Sequence, residues 1–306
     1  MMLLVQYTLV FATVLFLAAI GGCFSEHSGV INIGIEGMMV MGALGGVLAM
    51  KALAGAPAAV QLIGILLVSA AAGMLSSFLL SVPAVTFKAD QVLIGTAINM
   101  LAVAAATVAV KTVNLETVGK ASPTFVYIEE KKSLSFMIGS FRVDSFLLIA
   151  VLLAVLSVFV FRRTRFGMRL CACGENPEAA ASAGINVRKM RYVGVLISGA
   201  LSGLAGIAYV TSGVSEWQFD KGVSGYGFLA LAVMIFGQWE PGKIALAALV
   251  FGFFRALSNI YMGIDFLNSL NIPGAVYNML PYIISLLILV LFSKKSRAPR
   301  SEGIPY

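Results

Sequence analysis

The residues best suited to chemistry are few. GQWEPGKI (237–244) nearly matches the phosphate-cradling pattern G-x4-G-K-[ST], but Ile244 replaces the hydroxyl residue that would bind magnesium and no strand precedes it. GYGFLA (225–230) has the spacing of a dinucleotide turn, yet it lies inside an apolar stretch, again without a preceding strand. His27 and Ser28 are neighbours, but no second element fixes them as a nucleophile and base. Cys23, Cys171, Cys173 and His27 build neither a disulfide framework nor a closed zinc site. No catalytic residue, resident cofactor or metal is therefore expected, and the chain carries no evident ATPase of its own.

One polar stretch remains. RRTRFGMRLCACGENPEAAASAGINVRKMR (162–191) holds seven of the chain's 21 basic residues between two long apolar stretches. Within it, Asn176 is a good N-cap, Pro177 suits the first helical position and Glu178 complements the positive helix end. The alanines that follow are strong helix formers, and Gly184 can end the helix in the left-handed conformation. The spacing predicts a helix over 177–183, about 10 Å long, too short to stand alone. Ala179, Ala180 and Ala183 would give it a smooth face suited to a groove on a partner, with the flanking arginines at the lipid surface. A solvated basic loop is the competing reading.

The elements that must position this stretch follow from composition. Of 306 residues, 59% are hydrophobic and 11% charged, where soluble domains are about 25% charged; mean hydropathy is +0.96. The expected fold class is all-α: a polytopic transmembrane helix bundle of about nine spans (8–10), forming one transmembrane domain over 1–306. The candidate spans are 2–20, 33–52, 58–81, 91–111, 144–161, 193–213, 225–238, 242–262 and 278–293; the seventh is short, FGQWEPGK separates it from the eighth, and a tight hairpin or a re-entrant element is the alternative for those two. AIGGC, ending at Cys23, resembles a lipoprotein cleavage site, but no Lys or Arg precedes the apolar run, so a retained first span is expected. The net charge of +7 sits in short connectors and at the C-terminus, the pattern of cytoplasmic loops rather than of nucleic-acid binding. Placing loop 162–192 and the basic tail 294–306 inside leaves thirteen basic residues inside and seven outside, with Arg255 in a span. The connector 112–143, with its EEKKS and room for a short amphipathic piece, then lies outside, as does the N-terminus. Gly199 and Gly203, Ser198, Ser202 and Gly206, and Gly42 and Gly46 recur four apart, the spacing that lets helices approach closely in lipid.

Polar residues inside spans are costly and mark pathways. Arg255 is the clearest; Asn32, Thr96, Asn99 and Asn259 are candidates for a neutral hydrogen-bonding route, with capping and interhelical bonds as the competing reading. Glu36 is a candidate for a break in the second helix. Phe228, Phe236 and Trp239 are candidates for stacking on a planar solute, with lipid and core contacts as the commoner reading for such residues.

RFGMRLCACGENPEAAASAGINVRKMRYVGVLISGALSGLAG (165–206) resembles the coupling-loop region of binding-protein-dependent ABC permeases of the branched-chain amino acid and ribose type. Gly167, Arg169, Ala172, Gly174, Asn176, Ala179, Ala180, Gly184 and Ile185 match the family pattern in order. SGVINIGIEGMMVMGALGG (28–46), ADQVLIGTAIN (89–99) and the tail APRSEGIPY resemble the nucleoside branch, with Ser301-Glu302 where Ala-Leu or Ala-Ile is more usual. The resemblance implies a multi-pass permease of the bacterial plasma (inner) membrane, with no nucleic-acid partner. It implies a cytoplasmic ABC ATPase with two nucleotide-binding halves that holds ATP and Mg, a second homologous permease, and an extracytoplasmic substrate-binding lipoprotein. The ATPase-coupling segment would comprise Gly174, Glu175, Asn176, Pro177, Glu178, Ala179, Ala180 and Gly184. Ribose-like sugars or branched-chain amino acids are alternative solutes. An ion-coupled secondary transporter is the alternative class, for which Glu36 is the candidate acidic group deep in a span.

Overall fold

The computed structural model describes residues 2–126, 135–138, 141–212, 216–263, 273–292 and 298–306. Eleven α-helices dominate the described residues: α1 Met2–His27, α2 Ile35–Ala52, α3 Ala58–Ser81, α4 Gln91–Val118, α5 Ser145–Arg163, α6 Arg165–Glu175, α7 Pro177–Ser182, α8 Val187–Thr211, α9 Tyr226–Phe236, α10 Pro241–Ile260 and α11 Gly274–Phe292. Seven of them, α1 to α5, α8 and α10, are long and apolar enough to cross a membrane. The chain is a multi-pass membrane bundle.

The seventh candidate, 225–238, is short, as its sequence suggests, and is not among the seven. It is α9, with 11 residues, about 16 Å at 1.5 Å per residue against a hydrocarbon core of about 30 Å. The expected ninth coincides with α11, several of whose side chains lie outside the described residues. The sixth begins earlier than expected, because Asn186 Oδ1 accepts the Lys189 N–H at 2.9 Å and starts α8 at Val187. The fourth runs on to Val118, where Gly119 at φ 72° ends it.

Four short strands also depart from an all-α reading. β1 Thr124–Val126 pairs antiparallel with β4 Glu216–Gln218, opposing Phe125 to Trp217, and β2 Ser135–Ile138 pairs with β3 Phe141–Asp144. The connector 112–143 thus holds the end of α4 and these strands; its EEKKS lies outside the described residues.

α1 is the axis. From Phe11 to Glu26 every residue is buried, and it packs on α8, α9 and α10. α2 and α3 pack on α8, and there the small-residue spacing acts. A Cβ on Gly42 would lie 2.1 Å from Gly203 Cα, and one on Gly203 would lie 2.3 Å from the Ser69 carbonyl oxygen. Backbone meets backbone, which in lipid supplies the dispersion contact that a hydrophobic effect cannot.

Gly203→Val therefore forces α3 and α8 apart. A stability loss of about 1–3 kcal/mol is expected, the usual cost of overpacking, while Gly242→Ala, where an added Cβ meets nothing within 4 Å, should be neutral. Thermal unfolding of the detergent-solubilised chain measures both.

Candidate functional site

α1 runs antiparallel to α8 and α10, so two sites form at opposite ends of the bundle. At one end lie His27, Arg191 and Trp239 with α6 and α7; at the other lie Tyr7, Tyr209 and Arg255.

At the first end the polar stretch folds as two helices rather than one. The arginines in and around α6 mask it in the sequence. Thr164 Oγ1 caps it by accepting the Gly167 N–H at 3.1 Å, and Gly167, Leu170, Cys173 and Gly174 form its buried side. That side was written in the three- and four-residue spacing of these residues. Burial raises the Cys173 thiol above its usual range, and burial with the nearby Glu175 carboxylate raises Cys171 to about 11, so both stay protonated at neutral pH.

α7 forms as its local signals dictate. Asn176 Oδ1 accepts the Ala179 N–H at 3.0 Å, Pro177 opens the helix, and Gly184 takes φ +79°. The Ile185 N–H then satisfies the Ala180 carbonyl at 3.0 Å. Ala180, however, is buried against Cys173 and Val187, and Gly174 packs on the His27 carbonyl, where a Cβ would come within 2.5 Å. The expected single alanine face is thus divided. Ala180 and Gly174 root the segment in its own chain, because six residues bury too little apolar surface to dock by other means. Glu175, Asn176, Glu178, Ala179, Ala183 and Gly184 are exposed and Pro177 half-buried.

Residues that sequence reading missed tie this end to the bundle. Trp239 has left-handed backbone (φ 56°), unusual without glycine. It is held by three residues on one face of α1: its indole N–H donates to Glu26 Oε2 at 2.5 Å, and its carbonyl accepts from His27 Nε2 at 3.0 Å and Cys23 Sγ at 3.2 Å. Trp239 is therefore a brace, not a base-stacking residue. The tail returns across the same end. The Ser301 N–H donates to the Gly174 carbonyl at 2.8 Å and its hydroxyl to the Glu175 carbonyl at 3.1 Å, satisfying two orphan carbonyls at the end of α6. The Gly303 N–H donates to the Gly29 carbonyl at 3.2 Å. Arg191, expected at the lipid face, is 1% exposed; its Nη1 donates to the Ile304 carbonyl at 2.9 Å and its guanidinium lies 5.8 Å from the Tyr306 ring centroid. Lys294, Lys295 and Arg297 of the expected basic tail lie outside the described residues.

The six pathway candidates divide. Asn32 is buried and donates to Ser198 Oγ at 2.8 Å. Asn99 accepts the Gly37 N–H at 2.8 Å and donates to the Ile33 carbonyl at 3.0 Å. Both brace the non-helical run between α1 and α2. Thr96 is exposed and bonds back to its own helix at Leu93. Glu36 sits in the first turn of α2, directly after that break, and caps α9: Oε1 accepts the Gly225 N–H at 2.8 Å and Oε2 the Gly227 N–H at 2.6 Å. Arg255 and Asn259 come together. They line a cavity of about 270 Å³ with Tyr7, Phe11, Tyr209, Ser212, Trp217, Tyr226 and Ile260. Arg255 Nε donates to the Tyr226 hydroxyl at 2.6 Å. Phe228 is 49% exposed on the outside of the bundle, and Phe236 stacks edge-on against Phe251; neither lines this cavity.

Comparison with known proteins bears on both ends. The family model described as "Branched-chain amino acid transport system / permease component" matches residues 4–292. The guanosine ABC transporter permease protein NupQ of Bacillus subtilis (strain 168) is 39% identical over 99% of this chain and 96% of its own. The nucleoside ABC transporter permease protein NupC of Lactococcus lactis subsp. cremoris (strain MG1363) is 34% identical over 99% and 96%. A second Bacillus subtilis protein, the guanosine ABC transporter permease protein NupP, is 28% identical over 90% and 77%. No solved structure matches.

The tail's docking should depend on pH. Burial raises the Glu302 carboxyl from its usual 4.5 to about 7, and Glu26 of α1 is its acidic neighbour. The docked state thus holds the proton more tightly than the free tail. Its contribution is full below pH 4.5 and is lost as pH rises through 7. Hydrogen exchange at the Ser301 and Gly303 amides, corrected for intrinsic rates, should quicken across that window in the native chain and flatten in Glu302→Gln.

Proposed function

The chain belongs to the family of branched-chain amino acid transport system permease components, and from that membership we propose that it is the permease subunit of a binding-protein-dependent ABC importer for nucleosides. The observation that carries the solute is the near full-length similarity to two permeases named for guanosine and nucleosides. The chain is a transport subunit rather than an enzyme.

In this reading it sits in the bacterial plasma membrane with the α6–α7 end in the cytoplasm. ATP and Mg belong to a separate ATPase with two nucleotide-binding halves, and a lipoprotein delivers solute from outside. The second permease is a homologue rather than an identical copy, a view favoured by two guanosine permeases, NupQ and NupP, in one organism.

Power enters through α7. Its exposed side, Glu178, Ala179 and Ala183 with the Gly184 turn, is the surface offered to a cleft of the ATPase. Closure of the ATPase halves would carry α7, and motion would pass along two routes. One is the four-residue turn 183–186 into α8, which packs on α1, α2 and α3. The other is the α6 end, bonded through Ser301 to the tail and through the tail to Arg191. A ligand shifts a two-state equilibrium only through contacts that differ between the states, and α7 is where such contacts are concentrated.

An added Cβ at Gly184 meets nothing within 4 Å, so bulk there meets the partner rather than this chain. Gly184→Trp and Glu178→Lys should lower ATP-dependent uptake of labelled guanosine by the reconstituted complex about tenfold, the scale of a coupling of 1–3 kcal/mol. The affinity of the binding protein should not change. Gly184→Asn, which tolerates left-handed backbone, separates strain from bulk. Undiminished uptake by Gly184→Trp would remove α7 from this role; uptake of ribose or branched-chain amino acids in place of guanosine would reassign the solute.

A further inference from the structure

The cavity at the end of the bundle opposite α7 has the chemistry of a selective binding site. Its walls are aromatic. Tyr209 and Tyr226 lie 4.1 Å apart between ring centroids, Trp217 meets Tyr209 edge-on at 5.1 Å, and Phe11 stands 6.0 Å from Tyr226. Its volume, about 270 Å³, is just under the roughly 300–1,000 Å³ of drug-sized sites, a scale that suits one small planar solute. The polar groups of these walls are mostly committed. The Trp217 indole N–H donates to the Gly222 carbonyl at 2.9 Å and the Ser212 hydroxyl to the Tyr209 carbonyl at 2.7 Å. Arg255 is the exception. Among the described residues its hydrogen-bond partner is the Tyr226 hydroxyl, through Nε at 2.6 Å, and its guanidinium carbon sits 5.1 Å from the Tyr226 ring centroid. Nε and the ring hold the guanidinium plane at the cavity wall, and among the described residues its two terminal NH2 groups have no hydrogen-bond partner.

A guanidinium donates and cannot accept. A planar solute stacked on these rings is matched only if its edge presents adjacent acceptors. The 6-oxopurines do so, with O6 beside N7; adenine puts an amino donor beside N7 instead. We propose that this cavity is a base-binding station for 6-oxopurine nucleosides, in which the half-buried ring of Trp217 stacks the base, the buried Tyr226 holds Arg255 in place, and Arg255 selects the base by donating to O6 and N7. Asn259, exposed at the rim, is placed to meet the ribose hydroxyls. The inference rests on the reading of the solute as a nucleoside and adds which base is preferred and which residue prefers it.

Fluorescence and uptake together test it. Trp217 and Trp239 are the chain's two tryptophans and lie at opposite ends, so the emission of the native complex minus that of Trp217→Phe reports on the cavity. Guanosine and inosine should quench this difference signal, adenosine about tenfold more weakly, and ribose not at all. Arg255→Lys, which keeps the charge but loses the planar fork, should bring the guanosine-to-adenosine affinity ratio close to one. If that variant does not fold, Asn259→Phe at the exposed rim, which adds bulk without a new tryptophan, should fill the cavity and abolish quenching by every nucleoside. Labelled guanosine uptake by the native complex separates the two layers. No uptake and no quenching overturns the nucleoside reading itself. Uptake without quenching, an unchanged ratio in Arg255→Lys, or full quenching in Asn259→Phe overturns the cavity assignment alone.

Discussion

The architecture turns on one carboxyl group. Glu36 reaches from the first turn of α2 to the backbone amides at the start of α9, and both its oxygens are occupied there. An acidic side chain inside an apolar bundle is costly unless such donors surround it, and the first N–H groups of a helix equally need acceptors. Each need answers the other, and the field of the helix end favours the pairing. The contact tolerates no side chain at Gly227, where a Cβ would lie 2.5 Å from the Glu36 nitrogen, and it uses left-handed backbone at Gly225, φ 80°. The start of α9 is thereby fixed between these glycines. Tyr226 lies between them, and through its hydroxyl the position of Arg255 follows. The aromatic cavity is built outward from that point.

The other end obeys a different logic. There the elements are short and amphipathic, and what holds them is a set of long-range hydrogen bonds to backbone carbonyls. Ser301 completes the end of α6, Arg191 grips the tail, and Trp239 is seated on Glu26 and His27. Buried polar groups of this kind are costly when half-satisfied and rigid when complete. Between the two ends, the glycine seam of α2 and α3 on α8 is backbone against backbone. It offers few side chains to interlock, so displacement of α8 relative to α3 need not change rotamers along the seam.

Much of this was legible in the chain because it is local. Long apolar runs are spans whatever their neighbours, and Asn176, Pro177 and Gly184 place α7 to within one residue because caps act within a turn. The small-residue spacing was read as close packing, and it is. What escaped is non-local. Nothing near Ser301 announces that it serves Gly174, more than 120 residues earlier, and Trp239 looks like any interfacial aromatic until Glu26 is beside it. Ala180 and Ala179 are identical in type, and only the fold decides which is buried. Arg255 was singled out for its cost and Glu36 for its position beside glycines; that one lines a cavity and the other caps a helix needed the third dimension. α6 was hidden by its charges, since four arginines in eight residues read as a loop until the apolar side is traced.

The shortness of α9 bears on how the protein is made. A segment of 11 residues cannot rest across a bilayer by itself, and its amide ends have no water to bond in the hydrocarbon. It must be integrated together with α10, so that residues 226–260 enter lipid as one hairpin, and only after translation has passed Ile260. Glu36 is by then already synthesised and waiting, a preformed acceptor for the unsatisfied end of the newcomer.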